Sequence, residues 1–168
     1  HGIYLNGSSG STIIGNETFE NARPTERAAN GIYLYGSSGN RIQANRIHDN
    51  QDAGLELEHG SNDNLSLENV SWANGDHGFE HLECTGTVHI GDVAWGNYKD
   101  GFSVEGLSTG TRIVDCVAAD NGVTINEFDL YVDPGSVSGF SADRNIYWNS
   151  TDQVPIKFDN VRYAIVAD

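Results

Sequence analysis

The chain has 168 residues and a formal charge of −15, from 24 acidic against 9 basic side chains. That balance excludes a nucleic-acid binder, which needs a basic footprint for phosphate, and it disfavours anionic membrane surfaces; neutral glycans, cations and basic partners remain. Hydrophobic residues make up 38% and no apolar run approaches the roughly 20 residues of a membrane-spanning helix, so the composition predicts one domain with a sizeable core.

A glycine followed by apolar-x-apolar recurs from one end of the chain to the other. It reads Gly2-Ile3-Tyr4-Leu5, Gly31-Ile32-Tyr33-Leu34, Gly54-Leu55-Glu56-Leu57, Gly78-Phe79-Glu80-His81 and Gly101-Phe102-Ser103-Val104. Degenerate copies follow at Asp129-Leu130-Tyr131-Val132 and Pro155-Ile156-Lys157-Phe158, giving offsets of 29, 23, 24, 23, 28 and 26 residues. Each copy carries a second short strand, among them 12–14, 41–43, 64–67, 88–90 and 112–114. A third strand follows, at 45–50, 69–74, 92–97 and 145–149, with Asn recurring at the corners. Asn tolerates left-handed backbone, and stacked Asn side chains form hydrogen-bonded ladders. Three short strands per turn of about 23 residues predict an all-β parallel β-helix of about seven coils, stacked at about 4.8 Å. Gly at this frequency, without a 3.6-residue period, argues against helical repeats.

These coils resemble the right-handed parallel β-helix repeats of the carbohydrate-binding and sugar-hydrolase class, which includes NosD-like proteins, mannuronan epimerases and polysaccharide lyases. The resemblance covers nearly the whole chain; right-handedness and an extracellular or cell-surface location are what it implies. It is specific for fold and weak for chemistry, because one fold hosts many functions. The absence of Met, and ends without a capping helix, predict a single uncapped solenoid domain that is processed or is part of a longer chain. Cys84 and Cys116 are too few for a disulfide scaffold and read as unpaired structural thiols.

Alternation along the first strand places two rows of side chains outside. One is Tyr4, Tyr33, Glu56, Glu80, Ser103, Tyr131 and Lys157. The other is Asn6, Tyr35, Glu58, then Leu82 or Glu83, then Glu105, Asp133 and Asp159. The ambiguity arises because either His81 points inward or the strand bulges. Carboxylates in neighbouring coils raise one another's pKa, which suits a general acid. Glu56, Glu80 and Glu105 are therefore the candidates for acid, base or nucleophile, with Asp76 orienting His77. Tyr33, Tyr35, Glu58, His59, His81, Glu83, Tyr131 and Asp133 are the candidate glycan-binding residues. The plain alternative is a solvated acidic face, with Asp76 and Asp100 as corner residues before a repeat glycine.

Inserts at 22–29 and 123–128 would wall a groove over the middle coils, or are loop drift. Trp72, Trp95, Tyr147 and Trp148 recur near one third-strand position and read as core or coil-stacking aromatics ahead of a sugar platform. Clustered carboxylates are compatible with calcium bridged between coils, but no calcium-loop motif is present and no metal ligand set is assigned. The Asp-Pro-His-Glu/Asp tetrapeptide of the epimerases is absent. The function expected is extracellular polysaccharide recognition or processing, with glycoside hydrolysis ahead of lyase or epimerase action because the groove is acidic. The alternative is a non-catalytic surface, adhesin or filament module whose ends stack on neighbouring domains or subunits.

Overall fold

Runs of three or four strand residues with alternating apolar side chains cannot bury themselves alone. They become stable when each coil lies on the next. A computed structural model describes residues 1–22 and 28–164, and all regular structure among them is strand. The first sheet stacks Ile3–Asn6, Ile32–Tyr35, Leu55–Glu58, Phe79–Leu82, Phe102–Glu105, Leu130–Val132 and Ile156–Phe158 in parallel, with Val161–Tyr163 added antiparallel. The second holds Thr12–Ile14, Arg41–Gln43, Leu65–Leu67, Val88–Ile90, Arg112–Val114 and Ser141–Asp143. The third holds Glu17–Phe19, Arg46–His48, Val70–Trp72, Val93–Trp95, Val117–Ala119 and Ile146–Trp148. Ile3 pairs with Ile32, Ile32 with Leu55, Leu55 with Phe79, Phe79 with Phe102, Phe102 with Leu130 and Leu130 with Ile156. The repeat offsets are thus the strand register.

The repeat glycines are required by close approach. A Cβ on Gly54 would lie 2.0 Å from Ser71 Oγ and 2.7 Å from the Gly78 carbonyl of the next coil. The corner between the second and third strands is two residues long in every coil. Its first residue is left-handed: Gly15, Ala44, Glu68, Gly91, Asp115 and Arg144 have φ between 51° and 67°. The corner Asn is therefore not the left-handed residue. It follows that residue, points inward and bonds along the axis: Asn45 Nδ2 donates to Asn69 Oδ1 at 2.9 Å, and Asn69 Nδ2 to Asp92 Oδ1 at 3.0 Å. A second ladder at the corner after the third strand runs Asn21, Asn50, Asn74, Asn97, Asn121 and ends on Asp129 Oδ1. These bonds satisfy buried amides that would otherwise cost about 1–3 kcal/mol each.

The core is a set of axial columns. Phe79 and Phe102 stack with centroids 4.8 Å apart, and Ile32, Leu34, Leu55, Leu57, Val104 and Val132 are fully buried beside them. One polar chain crosses this core. His81 Nδ1 donates to the Ser103 carbonyl at 2.7 Å, the Nε2 atoms of His81 and His89 are 2.8 Å apart, and His89 Nδ1 is 2.8 Å from Asp92 Oδ2. All three side chains are buried, and burial, with His89 beside it, pushes His81 down to about 3. Cys84 and Cys116 are free and buried, and burial pushes both thiols up to about 12.

The outside of the third sheet changes character along the axis. In the early coils it carries Glu17, Arg46 and His48, with Arg46 Nε 3.0 Å from Glu17 Oε1, and a stack of Phe19, His48 and Trp72. From Val70 onward every outward residue is apolar. Trp72 thus has the coil-stacking role that its recurrence suggested. Tyr147 is half-buried and packs on the core, whereas Trp95 and Trp148 are 55% and 53% exposed.

Candidate functional site

The outward rows of the first sheet fall in direct register. Tyr33, Glu56, Glu80, Ser103 and Tyr131 are successive partners in one row, and Tyr35, Glu58, Leu82 and Glu105 in the other. Strand 79–82 pairs without a bulge, so His81 points inward. It is fully buried and bonded within the core, out of reach of any ligand on the groove face. Leu82 takes the row position, and Glu83 sits at the following left-handed corner (φ 56°), 3.9 Å from His59 Nδ1. Without the bulge, neither His81 nor Glu83 joins the outward row, and His81 is not a glycan contact.

The tyrosines are partly occupied by each other. Tyr33 stacks on Tyr4 at 5.2 Å and donates its hydroxyl to Glu58 Oε2, and burial and that carboxylate raise its pKa. Tyr35 stacks on His59 at 4.6 Å, and His59 Nδ1 is 3.0 Å from Glu58 Oε1. Lys157 Nζ lies 4.7 Å from the centroid of Tyr131. Asp133 Oδ2 accepts from the Gly106 amide at 3.0 Å.

The middle coils bring the candidate catalytic residues together around His77, which is buried at the corner leading into strand 79–82. Its Nε2 lies 3.7 Å from Asp76 Oδ1, 3.8 Å from Glu80 Oε1 and 3.8 Å from Glu105 Oε1. The Asp100 amide donates to His77 Nδ1 at 3.2 Å, which leaves the ring proton on Nε2, facing those oxygens. Asp100 Oδ2 is 3.3 Å from the same Nδ1, and burial pushes that carboxyl up to about 7. Lys99 Nζ holds Asp76 Oδ1 at 2.9 Å. Asn30 donates to Glu56 and Ser103 to Glu105, anchoring both flanking carboxylates.

Glu80 sits between them with its side chain 12% exposed. Burial first, and then the charges of Glu56 and Glu105, push it up to about 8, so it is a neutral carboxylic acid at pH 7. The ligand atoms of Asp76, His77 and Glu80, and those of His77, Asp100 and Glu105, lie within 4.8 Å of one another, a geometry that can hold a proton or a cation. Asp100, Lys99 and Asn30 are the members that sequence reasoning left out of the site. Asp100 was accessible in principle, because it precedes Gly101 as His77 precedes Gly78.

A cleft lies at the adjacent corner rather than over Glu80. It has a volume of about 910 Å³ and runs past Gln51, Gly75, Tyr98 and Asp120 to Val123 and Thr124. The 123–128 insert therefore borders this corner cleft. Most of the other insert, residues 23–27, lies outside the described residues.

Residues 1–154 match the family model for the right handed beta helix region. No curated protein matches the chain. Among solved structures it is similar to the periplasmic alginate epimerase AlgG, with a TM-score of 0.73 and 21% identity over 86% of this chain and 35% of that one. A double mutant of the same enzyme gives a TM-score of 0.61 and 20% identity over 88% of this chain and 35% of that one. At this identity the likeness shows the fold, and the chain spans about a third of the length of those structures.

Proposed function

The chain belongs to the right-handed β-helix family, and from that premise we propose that it is an exported protein that processes a polysaccharide by glycoside hydrolysis on the outer face of its first sheet. The observation that carries this reading is Glu80, nearly buried between two anchored carboxylates and still holding its proton at pH 7. Glycosidases need one protonated carboxyl to deliver a proton to the leaving oxygen and one ionised carboxylate as base or nucleophile. Glu80 is the acid. Glu56, its direct partner one coil away at about 5 Å, is the nucleophile of a retaining arrangement. Glu105 lies diagonally across and would serve an inverting one. His77 Nε2–H, facing Glu80 and Glu105, positions both, and in the retaining arrangement the hydrolytic water returns the proton to Glu80 when that residue acts as base in the second step. Tyr35, Glu58, His59, Tyr131 and Asp133 extend the same face as glycan contacts.

The charge of the site ranks the chemistry. A uronate polymer such as alginate, on which the similar epimerase acts, would bring further carboxylates against a site that already gathers Asp76, Glu56, Glu80 and Glu105 beside Lys99. A neutral glycan carries no such penalty, and a uronate would need calcium to screen it. The test is turnover of neutral and uronate polysaccharides with and without calcium, for the wild-type chain and Glu80→Gln. New reducing ends from a neutral polymer, lost in Glu80→Gln, support hydrolysis. An unsaturated product absorbing in the ultraviolet would replace it with a lyase. Binding without turnover would make the face a recognition surface, and no binding to any glycan would favour a structural module.

A further inference from the structure

The outward side of the third sheet presents a surface that the Glu80 chemistry does not use. Over three consecutive coils its six outward residues are Val93 and Trp95, Val117 and Ala119, Ile146 and Trp148. None has a role in the core, whose residues face the other way. Ile146 is 60% exposed, and the two indoles stand outside the Phe19–His48–Trp72 stack. An uncharged strip of this length is out of keeping with a chain of charge −15, and contiguous apolar surface of this kind marks a binding face.

We propose that this strip is a second carbohydrate-binding surface, on which an uncharged polysaccharide lies along the coil axis. Trp95 and Trp148 are two coils apart with only the methyl group of Ala119 between them, a gap of about 10 Å along the sheet. An extended glycan advances by a comparable distance every two pyranose rings, so alternate rings meet an indole face through their C–H groups. The hydroxyl edge of such a chain needs polar partners on one side, and Gln51, Asp120 and Thr124 offer them at the corner beside the strip. Gly96 and Asp120 directly follow Trp95 and Ala119 and line the 910 Å³ cleft, together with Gln51, Tyr98 and Thr124. A lipid or a hydrophobic protein surface would use the strip and leave the Gln51, Asp120 and Thr124 side chains of the cleft unused. A second copy of this chain would bring −15 against −15. The cleft also leads to the first sheet, because Gly75 and Tyr98 on its wall directly precede Asp76 and Lys99. The platform rests on the reading that polysaccharide is the ligand, but not on hydrolysis at Glu80.

The test measures binding of soluble galactomannan and mixed-linkage β-glucan, with alginate as an anionic comparator, by affinity electrophoresis and tryptophan fluorescence. Proteins compared are the wild-type chain, Trp95→Ala, Trp148→Ala and Glu80→Gln. The expected result is that a neutral polymer retards the wild type, still retards Glu80→Gln, and changes the indole emission. Trp95→Ala and Trp148→Ala each weaken that binding by about tenfold or more, the effect of losing an aromatic platform. Both positions are exposed, so circular dichroism should be unchanged. Retention of full affinity in both Trp variants would overturn the proposal. So would tighter binding of alginate, no binding of either neutral polymer, or self-association that the Trp variants abolish. Loss of hydrolysis as an explanation, seen as Glu80→Gln turning over substrate normally, would leave the platform standing if the Trp variants still lose polymer.

Discussion

Replacing Glu80 by Gln should make the protein more stable while it removes the proton donor. An unfolded glutamate ionises near pH 4.5, whereas native Glu80 keeps its proton to about pH 8. Between those values the unfolded chain gains about 1.4 kcal/mol per pH unit that the native state does not. The raised native pKa therefore contributes stability that is fully present below pH 4.5 and is lost as pH rises toward 8. At pH 7 the accumulated cost is about 3 kcal/mol. Glutamine is isosteric and uncharged and carries no such cost. Urea unfolding of wild type and Glu80→Gln at pH 4 and at pH 7 isolates it: the variant should match the wild type at pH 4 and exceed it by a few kcal/mol at pH 7, with unchanged m-value. A stability difference that is the same at both pH values would refute the argument that Glu80 is held neutral by burial between charged neighbours.

Three further expectations concern the scaffold. Gly54→Ala places a methyl group against Ser71 Oγ and the Gly78 carbonyl and should cost about 1–3 kcal/mol or more by overpacking, read as a lowered denaturation midpoint. Asn69→Ala removes the amide that bridges Asn45 and Asp92; leaving buried partners unsatisfied should cost about 1–3 kcal/mol, whereas an exposed Asn such as Asn6 is expected to matter less. His81, held near 3, stays neutral where an unfolded histidine takes a proton near 6.5. Native stability should thus fall as pH drops from about 6.5 toward 3, and His81→Leu should flatten that acid limb by about one proton, measured as the slope of unfolding free energy against pH.

The register of the first sheet could be read directly from the spacing of the glycine-apolar-x-apolar motif, because each glycine marks a contact with the next coil that admits no side chain. Two third-sheet strands, Glu17–Phe19 and Val117–Ala119, were harder to see. The second of them follows Cys116 where its neighbours follow Asn or Asp, so the corner signal is missing. Ser141–Asp143 has no apolar alternation to betray it. The inward turn of His81 was open in the sequence because a histidine suits either face; what decides it is the pairing offered inside by His89 and Asp92. The ring of acids around His77 needed two coils to be superimposed, so Asp100 joined the site only through stacking. The apolar strip was half legible. The tryptophans were conspicuous, but which of Tyr147 and Trp148 faces outward depends on the phase of alternation.

Parallel partners in all three sheets are separated by only 23–29 residues in the chain. A sheet protein usually closes long loops before any contact rewards it, and that slows its folding. Here each newly formed coil needs only the coil before it as a template. The chain should nucleate where neighbouring coils are most regular, around Leu55, Phe79 and Phe102, and zip outward in both directions. A lesion in a terminal coil should then mainly speed unfolding, while one in the central coils slows folding. The acidic cluster that strains the native state at neutral pH sits on those same central coils, so the segment that starts assembly also carries the electrostatic load of the site.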